Sequence, residues 1–147
     1  MKANELMIGD WVQIAEPCKY DGAIGRIKTL IDHKDEENAY FKVFLQNNTI
    51  HIGIEDICSE DIRPIPLTPE ILEKNGFEVT RNMSSSRNKD VWSLRVSKNK
   101  VFHIIEHHNK KLFPYFWIEI GSNSDIKYVH QLQHALKLCG IKKEIEL

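Results

Sequence analysis

The sequence predicts a mixed β and α+β fold, with a five-stranded barrel in residues 1–67 and a small antiparallel sheet with two helices in residues 68–147. Apolar and polar residues alternate over short runs in the first part, which is typical of strands with one buried face. A proline-rich extended run and a helix start stand at the junction between the two parts. Further strand patterns then lie between two helical ones, as in an α+β unit.

The first part holds four strand patterns followed by a turn and an extended segment. They cover residues 10–15, 23–31, 40–45 and 49–54, with a short helical turn at 55–61 and the last segment at 62–67. Alternation places one side-chain series in the barrel core: Val12, Ile14, Ile27, Phe41, Val43, Leu45, Ile50 and Ile52. It also places Thr29 on the inward face with Ile27, and Arg26 and Lys28 on the other face.

Two glycines mark the second of these strands. Gly22 and Gly25 precede Ile27 and Leu30 with the spacing G-x-x-G-x-(V/I)-x-x-(I/L). Together with the preceding GDWV run at 9–12, this stretch resembles the KOW motif of SH3-like barrels in ribosomal and transcription-elongation proteins. We expect the glycines to let the chain turn and cross close to a neighbouring strand. The resemblance implies an SH3-like barrel, a fold that binds RNA, proteins or nothing.

The junction carries a complete set of helix signals. Thr68 can cap a helix with its hydroxyl, and Pro69 suits the first helical position because proline lacks an N–H. Asn75 and Gly76 supply a left-handed stop. These signals predict a short helix over residues 69–74.

The second part is predicted to run α-β-β-β-β-α-β. After the first helix we expect strands over residues 77–83, 91–97, 100–106 and 112–120, a helix over 126–139 and an edge strand over 142–147. Ser124 or Asp125 is expected to cap the second helix. Alternation turns Trp92, Leu94 and Val96 inward and Arg95 outward.

Three segments of the chain share a resemblance. The runs IRPIPLT at 62–68, NGF at 75–77 and DIKYVHQLQ at 125–133 resemble a group of small proteins from Bacteroides-type bacteria and their mobile or prophage-like elements. The resemblance implies a phage- or element-associated context. It implies no catalytic residue.

Charge is unevenly distributed along the chain. Residues 1–67 hold seven Lys and Arg against twelve Asp and Glu, a net charge of −5, and residues 68–147 hold thirteen against nine, a net charge of +4. Residues 81–111 hold eight Lys and Arg against Asp90 and Glu106. The candidate binding face consists of Arg81, Arg87, Lys89, Arg95, Lys98, Lys110 and Lys111. It can dock on the acidic first part or meet nucleic-acid phosphates.

The residue patterns supply no complete catalytic or metal site. His130 and His134 share a helix face, but the glutamate of a His-Glu-x-x-His zinc site is missing, so we expect no bound metal there. The cluster of His103, His107 and His108 has no cysteine nearby. The chain also lacks a glycine-rich phosphate loop and a Gly-x-Ser-x-Gly elbow. We therefore expect no cofactor and no enzymatic activity.

Together these observations predict a cytoplasmic, non-enzymatic binding protein. Three scattered cysteines do not suggest a disulfide framework, and no apolar run is long enough to span a membrane. An unknown protein is the first candidate partner. The alternative is a nucleic-acid-binding accessory protein that uses the basic face of residues 81–111.

Overall fold

A computed structural model describes residues 5–15, 20, 22–31, 40–46, 51–81, 89–98, 100–107, 115–120 and 122–147. The chain divides into two compact units, Met1–Ile65 and Pro66–Leu147, two residues before the boundary that the sequence predicts. Both units are mostly β. No helix in the described ranges is long and apolar enough to cross a membrane.

The first unit is built on one curled antiparallel sheet that forms a half-barrel. Its elements are β1 (Trp11–Ile14), β2 (Ile24–Ile31), β3 (Tyr40–Gln46), β4 (His51–Cys58), a 3₁₀ turn at Ser59–Asp61 and β5 (Ile62–Pro64). The strands lie in the order β4-β3-β2-β1-β5. Val12 pairs with Pro64, and proline suits this position because β5 lies at the edge of the sheet.

Alternate residues of these strands, together with Leu6 and Ala23 outside them, form the core of the first unit. Its members are Leu6, Val12, Ile14, Ala23, Ile27, Phe41, Val43, Leu45, Ile57 and Ile62. This confirms the predicted core positions on β1, β2 and β3. Ile50 and the side chain of Ile52, which were also predicted to lie in the core, are outside the described part of the structure.

A bulge in β2 reverses the alternation of that strand. The register with β3 shifts between Ile27 and Thr29, so that Lys28 is an extra residue. Thr29 then pairs with the exposed Lys42 and is itself exposed. The prediction that Thr29 shares the buried face of Ile27 is therefore wrong.

β4 is longer than the sequence predicts, because it continues to Cys58 and leaves only Ser59–Asp61 for the helical turn. Its odd-numbered residues pair with the buried residues of β3: Gly53 with Leu45, Glu55 with Val43 and Ile57 with Phe41. Directly opposed residues share one face of a sheet. Ile57, which is buried, thus belongs to the core.

The second unit contains a second five-stranded antiparallel sheet and two helices. Its elements are α1 (Pro69–Lys74), β6 (Glu78–Arg81), β7 (Lys89–Ser97), β8 (Lys100–His107), β9 (Tyr115–Ile120), β10 (Ser122–Ile126) and α2 (Val129–Leu138). The strands lie in the order β10-β9-β8-β7-β6. β10 occupies residues that were predicted to open the second helix.

The predicted boundaries of α1 are confirmed. Thr68 Oγ1 accepts a hydrogen bond from the N–H of Ile71 at 3.4 Å, and Pro69 takes the first helical position. At the other end, Gly76 has a φ of 73°. The N–H of Phe77 donates to the carbonyl of Leu72 at 3.0 Å, which completes a Schellman motif.

α2 starts later than predicted and ends as predicted. Ser124 and Asp125 lie in β10, and the helix start is instead capped by Gln131 Oε1, which accepts from the N–H of Lys127 at 2.8 Å. Gly140, with a φ of 68°, ends the helix. The predicted cap at Ser124 or Asp125 is wrong, because both residues lie in β10 and the acceptor at the helix start is Gln131, inside α2.

The predicted last strand is also wrong, because residues 142–147 form no strand. A side chain holds this segment instead. The N–H of Glu146 donates to Asn75 Oδ1 at 2.9 Å, and Asn75 Nδ2 donates to the carbonyl of Glu146 at 2.7 Å. Lys74 Nζ donates to the carbonyl oxygen of Leu147, and Ile145 is fully buried. The Asn75 amide thus makes the two backbone hydrogen bonds that a neighbouring strand would otherwise make with Glu146.

Candidate binding surface

The β7–β8 hairpin extends past the strands on either side of it. β6 pairs only with residues 90–93 of β7, and β9 pairs only with residues 104–107 of β8. In the described ranges, residues 94–97 and 100–103 therefore have each other as their only strand partners. We call residues 94–98 and 100–103 the arm.

The inner face of the arm is fixed to the rest of the second unit. Leu94 and Phe102 are paired in register and both are buried. The ring of Phe102 packs edge to face against Phe77, with ring centroids 6.4 Å apart. Because Phe77 directly follows α1 and its stop, this contact holds the base of the arm in one position.

A bulge lies beyond this contact. Arg95 pairs with Val101 and Ser97 with Lys100, which leaves Val96 as the extra residue. Val96 is 37% exposed, so the prediction that it faces inward with Leu94 is wrong. Val101 is 39% exposed. The end of the arm therefore exposes two valines.

Cations accompany these valines. Arg95 is exposed, as alternation predicts, and Lys98 is exposed in the turn. Neither side chain has a hydrogen-bond or ion-pair partner within the described residues. Residues 91–105 contain no Asp or Glu, and Lys100 adds a third basic residue to the arm. The arm thus has a net charge of +3 with neutral histidine.

The structure separates two other predicted basic residues, Arg81 and Lys89, from the arm. Arg81 pairs with Asp90, and Lys89 pairs with His107, at the opposite end of the sheet. Lys89 and Arg95 are six positions apart in β7, which corresponds to about 20 Å of strand. Arg87, Lys110 and Lys111 lie outside the described residues. Among the described residues of the predicted face, Arg95 and Lys98 are therefore the two that lie at the arm.

A serine and a histidine meet on the exposed side of the arm base. Ser93 Oγ lies 2.9 Å from His103 Nδ1. A nucleophilic serine needs a histidine that a third group orients. Glu78, Ser93 and His103 lie side by side on three neighbouring strands, with Ser93 in the middle. Glu78 is thus separated from His103 by Ser93. The arrangement fixes His103 without forming a triad from these three residues.

The histidines on α2 form an aromatic stack. His130 is buried and stacks on Tyr128, with ring centroids 5.8 Å apart, and its ring meets His134 edge to face at 5.7 Å. Within the described ranges, no group of three His, Cys, Asp or Glu residues could hold a metal ion. The stack contributes to packing at the start of α2.

A buried carboxylate lies on the covered face of the second sheet, which sequence reasoning did not find. Glu106 is buried and accepts a hydrogen bond from Trp92 Nε1 at 2.8 Å, and it pairs in register with Asp90. A buried indole N–H needs an acceptor, which Glu106 supplies. The available signal was that one acidic residue interrupts the apolar series of each strand, Asp90 in β7 and Glu106 in β8.

The first unit carries a row of aromatic and cationic residues that sequence reasoning also missed. Arg26 is paired with Trp11 on one side and Phe44 on the other. Its guanidinium carbon lies 4.4 Å from the Trp11 ring centroid, and Lys28 Nζ lies 5.5 Å from that of Phe44. Such cation–π contacts hold both cations over aromatic faces.

Comparison of the chain with protein-family models, with curated proteins and with solved structures gave no match.

Proposed function

We propose that this protein is a non-enzymatic binding protein and that the arm binds the phosphates of nucleic acid. The observation that carries this proposal is a hairpin end that extends beyond its sheet with Arg95 and Lys98 exposed. Contacts from arginine and lysine to phosphates supply most of the affinity of nonspecific nucleic-acid binding. Positions 91–105 contain no Asp or Glu. No acidic neighbour in sequence therefore weakens the positive electrostatic potential around Arg95 and Lys98.

The first unit has a different part in this proposal. We propose that it is an SH3-like barrel of the KOW type, supported by the strand order β4-β3-β2-β1-β5 and by the 3₁₀ turn before β5. Gly22 lies in a turn with a φ of 72°, which supports the expectation that this glycine lets the chain turn. The net charge of −5 in residues 1–67 disfavours phosphates, so this unit is assigned to a protein partner.

Fluorescence anisotropy with a labelled duplex of about 20 base pairs at about 50 mM salt tests the role of the arm. The double variant Arg95→Ala/Lys98→Ala is expected to bind roughly tenfold more weakly, since two charge-assisted phosphate contacts are lost. Both side chains are exposed, so the near-UV circular dichroism of the variant should match that of the wild type.

The matched control is Lys127→Ala/Lys142→Ala, which removes the same charge from two exposed positions outside the arm. Its affinity should stay within about twofold of the wild type. Equal losses in the two variants would assign the effect to net charge alone. That result, or absence of binding at low salt, would refute the proposal.

A further inference from the structure

We infer that the arm enters the major groove of B-form double-stranded DNA. This inference rests on the proposed function, because it specifies which nucleic acid the arm contacts and where. Three properties of the arm carry it: the shape of its free end, the chemistry of its exposed side chains and the rigidity of its base.

The free end has the dimensions of the groove. Beyond the buried pair Leu94 and Phe102, the described part of the arm is a two-stranded ribbon whose last register pair is Ser97 with Lys100, and Lys98 lies in a turn. From residue 95 to residue 98 it extends about 10 Å, and its two strands lie about 4.8 Å apart. The major groove of B-form DNA is about 12 Å wide and 8.5 Å deep, and it admits a two-stranded ribbon. The free end is therefore long enough to reach the base edges.

The exposed side chains suit a groove better than a single strand. Proteins that bind single strands stack bases on exposed aromatic rings. The aromatic residues of this hairpin with described side chains, Trp92 and Phe102, are 3% and 6% exposed and face the interior of the unit. Arg95 and Lys98 can instead contact phosphates and guanine edges, and Val96 can contact thymine methyl groups.

The geometry also discriminates against double-stranded RNA. The major groove of A-form RNA is deep and too narrow for protein side chains to read. The base of the arm is held by the packing of Phe102 on Phe77 and by the contact between Ser93 and His103. An arm fixed in this way cannot reshape itself to a narrow groove, while it loses little conformational entropy on entering a wide one.

The test compares three probes of matched length and sequence: duplex DNA, single-stranded DNA and double-stranded RNA. Each is titrated by anisotropy with the wild type and with Arg95→Ala/Lys98→Ala. The wild type should bind duplex DNA at least roughly tenfold more tightly than either other probe, and the variant should lose this preference. Methyl green, which occupies the major groove, should displace the protein from the duplex, and netropsin, which occupies the minor groove, should not.

The outcomes separate this inference from the proposed function. Arm-dependent binding that is as tight to single-stranded DNA or to double-stranded RNA would overturn the inference and leave the proposed function in place. Displacement by netropsin alone would also overturn it. Binding that the arm variant leaves unchanged on every probe would refute both.

Discussion

Gly25 controls how closely two strands of the first unit approach. A Cβ on this residue would lie 2.5 Å from Val43 Cγ1 and 2.9 Å from both Leu45 Cδ2 and the carbonyl oxygen of Phe44. Real Cβ atoms essentially never show contacts under 3.0 Å, so the core must shift to accept one. This explains the glycine that the KOW-like spacing places there.

The variant Gly25→Ala is therefore expected to lower the free energy of unfolding by about 1–3 kcal/mol, because it overpacks the core. Urea denaturation followed by tryptophan fluorescence measures this change. Thr29→Ala, on an exposed position of the same strand, should change stability by less than about 0.5 kcal/mol. A Gly25→Ala protein as stable as the wild type would contradict the close packing of β2 on β3.

Thr68 links the cap of α1 to the titration of Glu70. Its side chain forms a hydrogen bond with the Glu70 carboxylate that lowers the pKa of that group below 4.5, and a backbone hydrogen bond acts in the same direction. A lowered folded-state pKa contributes stability above the unfolded-state value, and this stability is lost as the pH falls through the folded-state pKa. The hydroxyl of Thr68 thus acts on both the helix and the carboxylate.

The variant Thr68→Ala should raise the pKa of Glu70 towards 4.5, which a carboxyl NMR titration measures. It should also cost about 0.5–2 kcal/mol of stability near neutral pH, because the N–H of Ile71 loses its acceptor. Thr68→Ser keeps the hydroxyl and should restore both values. An unchanged pKa in the alanine variant would show that Thr68 does not set it.

Among the elements, β4 shows how register decides which residues form the core. Ile57 lies opposite Phe41 and is buried. Its neighbour Asp56 is exposed and forms an ion pair with Lys42, with 3.1 Å between Asp56 Oδ1 and Lys42 Nζ. Ile57→Ala is expected to cost about 2–5 kcal/mol in urea denaturation, because it leaves a cavity. Asp56→Ala should cost at most about 1 kcal/mol, since an exposed ion pair contributes little. Similar costs for the two variants would contradict the register of β3 and β4.

The segment after α2 depends on the amide of Asn75. Asn75→Ala removes the two hydrogen bonds to the backbone of Glu146 and the one to Ile71. The expected loss of stability is about 1–3 kcal/mol, with faster amide exchange over residues 141–147. Glu146→Ala keeps its backbone groups and should show neither effect. Unchanged exchange in Asn75→Ala would mean that other contacts hold the segment.

The elements that sequence reasoning predicted well are those whose signals are local. The start and stop of α1 follow from Thr68, Pro69 and Gly76 alone, because the hydrogen bonds of a helix cap join near neighbours in sequence. β10 was missed because its residues Ser-Asn-Ser-Asp-Ile have low strand propensity and are held by pairing with β9. The bulges at Lys28 and Val96 could not be predicted, because each is defined by the register of its strand with a neighbouring strand rather than by the alternation of residues in the sequence.

The candidate surface was likewise predictable only where its signals are local in sequence. The outward direction of Arg95 follows from alternation with Trp92 and Leu94. That β7 and β8 extend beyond their neighbours depends on the lengths and registers of β6 and β9, which are tertiary properties. The separation of Lys89 from Arg95 follows from the same strand length, and a count of charges along the segment does not reveal it.

At the scale of the whole molecule, the chain places opposite charges in its two parts, −5 in residues 1–67 and +4 in residues 68–147. Each unit has its own sheet, and the cations described at an extended hairpin end belong to the second. Under the function proposed above, the second unit contacts nucleic-acid phosphates through the arm and the first unit contacts a protein partner.

The salt dependence of duplex DNA binding tests the central claim most directly. If Arg95, Lys98 and Lys100 each neutralise one phosphate, the plot of log affinity against log salt concentration should have a slope of about −2.7 for the wild type. The variant Arg95→Ala/Lys98→Ala should reduce that slope to about −0.9, since one contact remains. A wild-type slope near zero, or the same slope for both proteins, would contradict the assignment of the arm as the phosphate-binding surface.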